Sequence, residues 1–184
     1  MKIFGIGANR TGTGSLAEAL RKLGYNISHW DHHEQICQNL VKNKLKHEFL
    51  NTYDGAADLP IPSIYRELDR AYPGSKFILT IRDEKDWIRS QELHHKRIGV
   101  DKPYFECFLL YGSFFFDRKK YLEAYRRHNI EVVNYFYGRK DLLVVNITIE
   151  DAWDKICSFL GKSKPELPFP QINRRPEKSP KKII

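Results

Sequence analysis

Short apolar runs alternate along the chain with longer stretches whose apolar residues recur every three or four positions. The first run, Ile3-Phe4-Gly5-Ile6, reads as a buried strand, and Leu16, Leu20 and Leu23 follow at helical spacing with Gly24 as the stop. Tyr25 to Asp31 crosses to another short element, and Glu34 to Glu48 reads as a second, more polar helix. Around Tyr53 to Pro60 a short strand of small residues ends in an acid followed by Leu59-Pro60, and small residues there suit a close approach to the backbone. Pro62 to Tyr72 reads as a helix closed by Pro73-Gly74, and Lys76 to Ile81 as a central parallel strand. Helices over Glu84 to Arg97 and Asp117 to Tyr137, a buried strand over Asp141 to Asn146 and a last helix over Glu150 to Leu160 complete the pattern. Tyr104 to Tyr111 with Phe114-Phe115-Phe116 is the most aromatic stretch; core packing accounts for most of it, and some rings are candidates to line a pocket.

This alternation predicts an α/β fold: three layers, α/β/α, around a central parallel sheet. Ligands of such folds sit at the carboxyl ends of the strands. Gly7 to Ser15, Asp58, Arg82 and Asn146 all fall at predicted strand ends, which brings them toward one crevice.

The most informative of these is Gly7-Ala8-Asn9-Arg10-Thr11-Gly12-Thr13-Gly14-Ser15. A strand, a glycine-rich turn and a helix in that order gather backbone N–H groups and a helix N-terminus around one point, which suits a phosphate. Gly7 and Gly12 have P-loop spacing, but Thr13-Gly14 stands where a nucleotide triphosphatase places Lys-Ser/Thr. The cation lies inside the loop instead, at Arg10. A dinucleotide fingerprint is incomplete too, with Arg10 at its third glycine position. At the tip of the Lys76–Ile81 run a guanidinium, Arg82, precedes the acid Asp83, so that strand end is also built for an anion. Helical geometry puts Ser90 on the side of Arg82, and the two are candidates to hold one anion between them.

Composition adjusts this picture only at its edges. At 184 residues the chain fits one domain, expected over 1–173, with 174–184 a basic, flexible tail. The formal net charge is +8, but Arg174 to Lys182 carries five basic residues and one acid, so the body is only mildly basic. No nucleic-acid signature is visible, and no nucleic-acid partner is expected. Cys37, Cys107 and Cys157 are odd in number and without metal spacing, which favours reduced core thiols over disulfides or zinc. His29, His32 and His33 invite a metal hypothesis, but without further ligands they read as solvated or substrate-facing. A strand starting at residue 3 leaves no room for a signal peptide and no apolar run spans a bilayer, so a cytoplasmic location is expected.

With these motifs in place, the sequence resembles the sulfotransferases that use 3′-phosphoadenosine 5′-phosphosulfate (PAPS). Arg10-Thr11-Gly12-Thr13 is similar to the family's 5′-phosphosulfate loop, and Arg82 with Ser90 to its 3′-phosphate site. Asp58-Leu59-Pro60 stands where cytosolic members carry a catalytic His-Leu-Pro. Ala152 to Gly161 and Pro168 to Asn173 resemble the C-terminal pattern of the small, soluble branch. The resemblance implies a P-loop nucleotide-hydrolase-like fold, PAPS as donor and a small-molecule or glycan acceptor. It departs from the family at Gly14, where a second threonine is common, and at Arg10, where many members have lysine; the C-terminal Arg-Lys-Gly segment is absent, with Arg174 and Arg175 as substitutes.

On that resemblance, the amides of Thr11, Gly12, Thr13, Gly14 and Ser15 are expected to cradle the 5′-phosphate, Arg10 to stabilise the bridging oxygen, and Arg82, Ser90 and Arg174 to recognise the 3′-phosphate. Asp58 is expected to accept the acceptor's proton, with Asp54 and His33 as alternatives. No metal is chemically required. A nucleotide kinase or triphosphatase and a non-catalytic nucleotide-binding protein of the same fold stay open, as do the acceptor and the oligomeric state.

Overall fold

The computed structural model describes residues 1–42, 48–99, 103–149 and 151–172. Five strands, β1 (Ile3–Gly5), β2 (Ile27–His29), β3 (Gly55–Ala57), β4 (Lys76–Thr80) and β5 (Leu142–Val145), form one sheet in the order β2-β3-β1-β4-β5. Every pairing is parallel. The helices are α1 (Thr13–Lys22), α2 (His33–Val41), α3 (Tyr65–Ala71), α4 (Glu84–Ile98), α5 (Phe105–Tyr111), α6 (Arg118–Tyr135) and α7 (Trp153–Leu160). β1 lies at the centre, and the chain lays β2 and β3 on one side of it before crossing to β4 and β5 on the other. That reversal leaves a crevice at the carboxyl end of the central strand.

The period of two along the strands sorts the core into layers. Ile3 and Ile78 pack with Leu16 and Leu20 of α1 and Trp153 and Ile156 of α7. Their neighbours Phe4, Phe77 and Leu79 face the other way, onto Leu68 of α3, Val132 of α6 and Phe136 at the end of that helix. The three-layer α/β/α architecture follows from these two apolar faces. A third cluster, with Trp87 and Ile88 of α4, Tyr111 of α5 and Tyr121 and Tyr125 of α6, packs beneath Ala8 and Leu59 and supports the loops after β1 and β3.

Several elements differ from the sequence pattern for physical reasons. α2 ends at Val41, 43–47 lie outside the described residues, and a 3-10 turn covers Glu48–Asn51. The Pro62–Tyr72 segment opens as a 3-10 turn, Ile61–Ile64, because the chain must leave β3 through two prolines before α3 can start. The last helix begins at Trp153, whose N–H is taken by the Asp151 carboxylate at 3.1 Å. The strand expected to be buried over Asp141–Asn146 is β5, the edge of the sheet, and Val144 there is 39% exposed. The aromatic stretch contains an unanticipated helix, α5, with Cys107, Leu110 and Tyr111 turned inward at helical spacing. The tail, 174–184, lies outside the described residues.

Candidate functional site

The loop after β1 is held on every side. Gly7 passes so close to β4 that a Cβ would stand 2.1 Å from Thr80 Oγ1 and 2.4 Å from the Thr80 carbonyl, so only glycine fits. His128 Nε2 lies 2.7 Å from the Ile6 carbonyl; burial lowers the His128 pKa, so the ring is neutral and donates. Asn9 accepts from Trp87 Nε1 at its carbonyl (2.9 Å) and from Gln91 Nε2 at Oδ1 (2.8 Å), and the Tyr111 hydroxyl donates to the same Oδ1. Thr11 belongs to this frame: fully buried, it donates to the Ala8 carbonyl and meets Thr80 Oγ1, both at 2.6 Å. Its N–H is directed at the Ala8 carbonyl at 3.3 Å. Gly12, at φ 99°, then turns the chain into α1, whose first-turn N–H groups have no acceptor within the helix.

A cavity of about 460 Å³ opens over that helix start, within the range of small-molecule sites. Of the residues expected from the sequence, Arg10, Gly12, Thr13, Gly14, Ser15, Asp58, Arg82 and Ser90 line it. Arg10 Nε donates to Ser90 Oγ at 3.2 Å, and Arg82 Nη1 donates to the Arg10 carbonyl at 3.3 Å. Arg82 is itself pinned by α6: the Tyr125 hydroxyl accepts from its N–H (2.9 Å) and donates to its carbonyl (2.8 Å). Asp83 caps α4, accepting from the N–H groups of Lys85 and Asp86. Arg174 lies outside the described residues.

The cavity also recruits residues the sequence did not single out. Asp86 and Arg89 with Leu93 project from the face of α4 that carries Ser90, an i, i+3, i+4 spacing that a search outward from Ser90 could have found. Ile147 and Thr148 follow β5, while Asn146 turns its Oδ1 onto the Thr148 N–H at 3.1 Å. Gln171 and Ile172 close one wall, with the Ile172 N–H donating to Ser15 Oγ at 2.9 Å.

Asp58 follows β3 and meets three donors. Its Oδ2 accepts from Thr13 Oγ1 at 3.0 Å and lies 3.1 Å from His29 Nε2; its Oδ1 accepts from the Leu59 N–H at 2.9 Å. Burial pushes the carboxyl up, but the hydrogen bond and charge of His29, with the Leu59 and Thr13 bonds, outweigh it and hold Asp58 below the usual carboxylate range. The two alternative bases lie elsewhere. Asp54 accepts from the Asn26 N–H at the amino end of β3, and His33 lies against the Trp30 carbonyl at 2.7 Å and Glu106 at 3.5 Å. His32 stacks on Phe49, so the three histidines disperse. Among the described residues no group of three or more His, Cys, Asp or Glu side chains is arranged to hold a metal ion. Burial pushes the Cys37 thiol up to about 12 and the Cys107 thiol to about 11.

One backbone feature unites the strand ends. Among the described residues Arg10, Trp30 and Asp58 are the non-glycines with positive φ, at 69°, 70° and 74°, in the loops after β1, β2 and β3. Left-handed backbone at such residues persists only where the surroundings over-determine it, and it gathers at functional sites.

A solved structure, that of a sulfotransferase from Alicyclobacillus acidocaldarius, matches with a TM-score of 0.62 over 96% of this chain and 86% of that one, at 19% identity, a likeness of fold. Ava biosynthesis cluster protein M of Aspergillus versicolor is 30% identical over 109 residues, 50% of this chain and 42% of that protein, so the match spans less than half of that relative. The profile of the sulfotransferase domain matches residues 2–177. A domain profile that runs from before the first strand to beyond the Ile172 wall, on a chain folded in this way, makes this protein a member of the sulfotransferase-domain family.

Proposed function

We propose that the chain transfers a sulfuryl group from PAPS to a hydroxyl or amine of a small-molecule or glycan acceptor. The observation that carries this reading is that Arg10 and Arg82, from different strand ends, touch each other and line one cavity with the start of α1. A donor with phosphate at both ends needs two cationic points in one cleft, and the fit is favourable in charge and size. The first-turn amides of α1 would hold the 5′-phosphate, with Arg10 beside the bridging oxygen. Arg82 and Ser90 would take the 3′-phosphate, aided by Arg174 from the tail. Thr11 would act through the loop, since its side chain is spent on Ala8 and Thr80. Arginine keeps its charge at any working pH, so Arg10 would stabilise the departing oxygen without donating a proton.

No helix among the described residues is long and apolar enough to cross a membrane, and we place the activity in the cytoplasm. The test is thermal-shift and calorimetric binding of 3′-phosphoadenosine 5′-phosphate against ATP with magnesium and NAD, followed by donor turnover. Selective stabilisation by the 3′-phosphorylated nucleotide is expected, because only a ligand that prefers the native state raises the melting point. A preference for ATP with magnesium would overturn the reading.

A further inference from the structure

Sheet order creates a pair that the strand ends alone do not announce. β2 lies beside β3 in parallel, with His29 in register with Ala57, so the last residue of one strand stands next to the residue that follows the other. The consequence is the 3.1 Å contact between His29 Nε2 and Asp58 Oδ2, with Thr13 Oγ1 3.0 Å from the same carboxylate oxygen and 3.4 Å from the ring nitrogen. Both His29 and Asp58 line the cavity, at 26% and 15% side-chain exposure, together with Arg10, Arg82 and Arg89.

We infer that His29 is the group that receives the acceptor's proton, and that Asp58 is a positioning residue acting through it. The inference rests on the sulfuryl-transfer reading above and deepens it. Three donors converge on Asp58, the Thr13 hydroxyl, the Leu59 N–H and the His29 ring, so both of its oxygens already accept and Oδ2 accepts twice. An ionised carboxylate cannot donate, so the hydrogen of this contact sits on Nε2, and in the tautomer that the bond selects Nδ1 holds the basic lone pair. Asp58 thereby selects the tautomer and stabilises the imidazolium that forms, the division of labour of a carboxylate–imidazole pair. Asp58 alone is a poor base, because its partners hold it below the ordinary carboxylate range.

The step balances without a further reactant. The acceptor oxygen or nitrogen forms a bond to sulfur, the bond between sulfur and the bridging oxygen breaks, and that electron pair leaves on the 5′-phosphate. The acceptor's proton passes to His29 Nδ1 and then to solvent. The backbone supports the placement: Asp58 and Trp30, immediately after His29, are both in the left-handed conformation, which persists only where the surroundings over-determine it. The His29 N–H is also fixed, donating to the Asp31 carboxylate at 3.2 Å.

The experiment compares wild type, His29→Ala, His29→Gln and Asp58→Asn. It measures release of 3′-phosphoadenosine 5′-phosphate from PAPS, with water and with 2-naphthol as acceptors, and product-nucleotide affinity by calorimetry. Expected for both His29 variants is a fall in kcat of about 100-fold or more at nearly unchanged donor KM. Imidazole added to His29→Ala should restore much of the lost rate, a response that a purely structural histidine would not give. Asp58→Asn should lower kcat while leaving donor KM in place. Turnover by both His29 variants close to wild type, or the absence of imidazole rescue, overturns the assignment; so does an Asp58→Asn loss that His29→Ala does not share, which makes the carboxylate the base. His29→Gln keeps the test valid if His29→Ala fails to fold. A wild type that binds no 3′-phosphoadenosine 5′-phosphate sinks the donor reading itself, whereas one that binds it but turns over no donor overturns the proton-transfer role and leaves the donor site standing.

Discussion

The Arg82 guanidinium donates from Nη1 to the main-chain carbonyl of Arg10 at 3.3 Å, so the residue at the tip of β4 braces the loop that follows β1. Two positively charged residues are thereby held side by side. The backbone carbonyl accepts the bond, and Ser90 takes the Arg10 Nε–H.

Replacing Arg82 by Ala should weaken 3′-phosphoadenosine 5′-phosphate binding by about 10- to 100-fold, the value of one charge-assisted hydrogen bond. Calorimetry at low and high salt is the check, and the loss should shrink as salt rises. Arg82→Lys should recover only part of the affinity, because an ammonium does not reproduce the planar fork.

Tyr125→Phe tests the support behind that arginine. The hydroxyl holds both the N–H and the carbonyl of Arg82, so its removal should cost about 1–3 kcal/mol of stability in urea unfolding. Nucleotide affinity should fall with it, although Tyr125 is not among the cavity-lining residues.

Gly7→Ala should be among the most damaging single-methyl changes in the chain. The added carbon would meet Thr80 backbone atoms, which have no flexible end to swing away. A loss of about 3 kcal/mol is expected, read as a lowered melting temperature, together with loss of nucleotide binding.

Acid should destabilise the protein in two stages. Burial, followed by the nearby charge of Arg10, lowers His94 from 6.5 to about 4, and burial lowers His95 and His128 as well. Below pH 6.5 the unfolded chain therefore binds protons that the folded chain refuses, so stability falls as pH drops from about 6.5 toward 4. Asp58, Asp69 and Glu84 have folded pKa values below their unfolded ones, so their contribution, present above the unfolded carboxylate range, is lost at still lower pH. Urea unfolding at a series of pH values should show both declines, and His94→Gln should lessen the first.

The sequence disclosed what is local and withheld what depends on lateral order. Arg10, Asp58 and Arg82 are legible because each lies in the segment that leaves the carboxyl end of a strand, and Ser90 because helical geometry carries it back toward Arg82. The alternation of apolar runs with helical spacing sufficed for the three-layer architecture. His29 was visible only as one of three histidines, since nothing local says that β2 lies against β3. The edge position of β5 was hidden for the same reason: an apolar run reads alike whether one neighbour covers it or two. Ile172 lies within the Pro168–Asn173 motif, but its bond to Ser15 joins residues 157 positions apart, beyond any periodicity.

That last bond has a consequence for how the protein becomes competent during synthesis. The sheet can assemble once β5 has left the ribosome, yet the wall beside the first helix stays unbuilt until the segment around Ile172 arrives. A chain in which the sheet has formed but Ile172 is not yet docked is thus a finished scaffold with an unfinished wall beside Ser15.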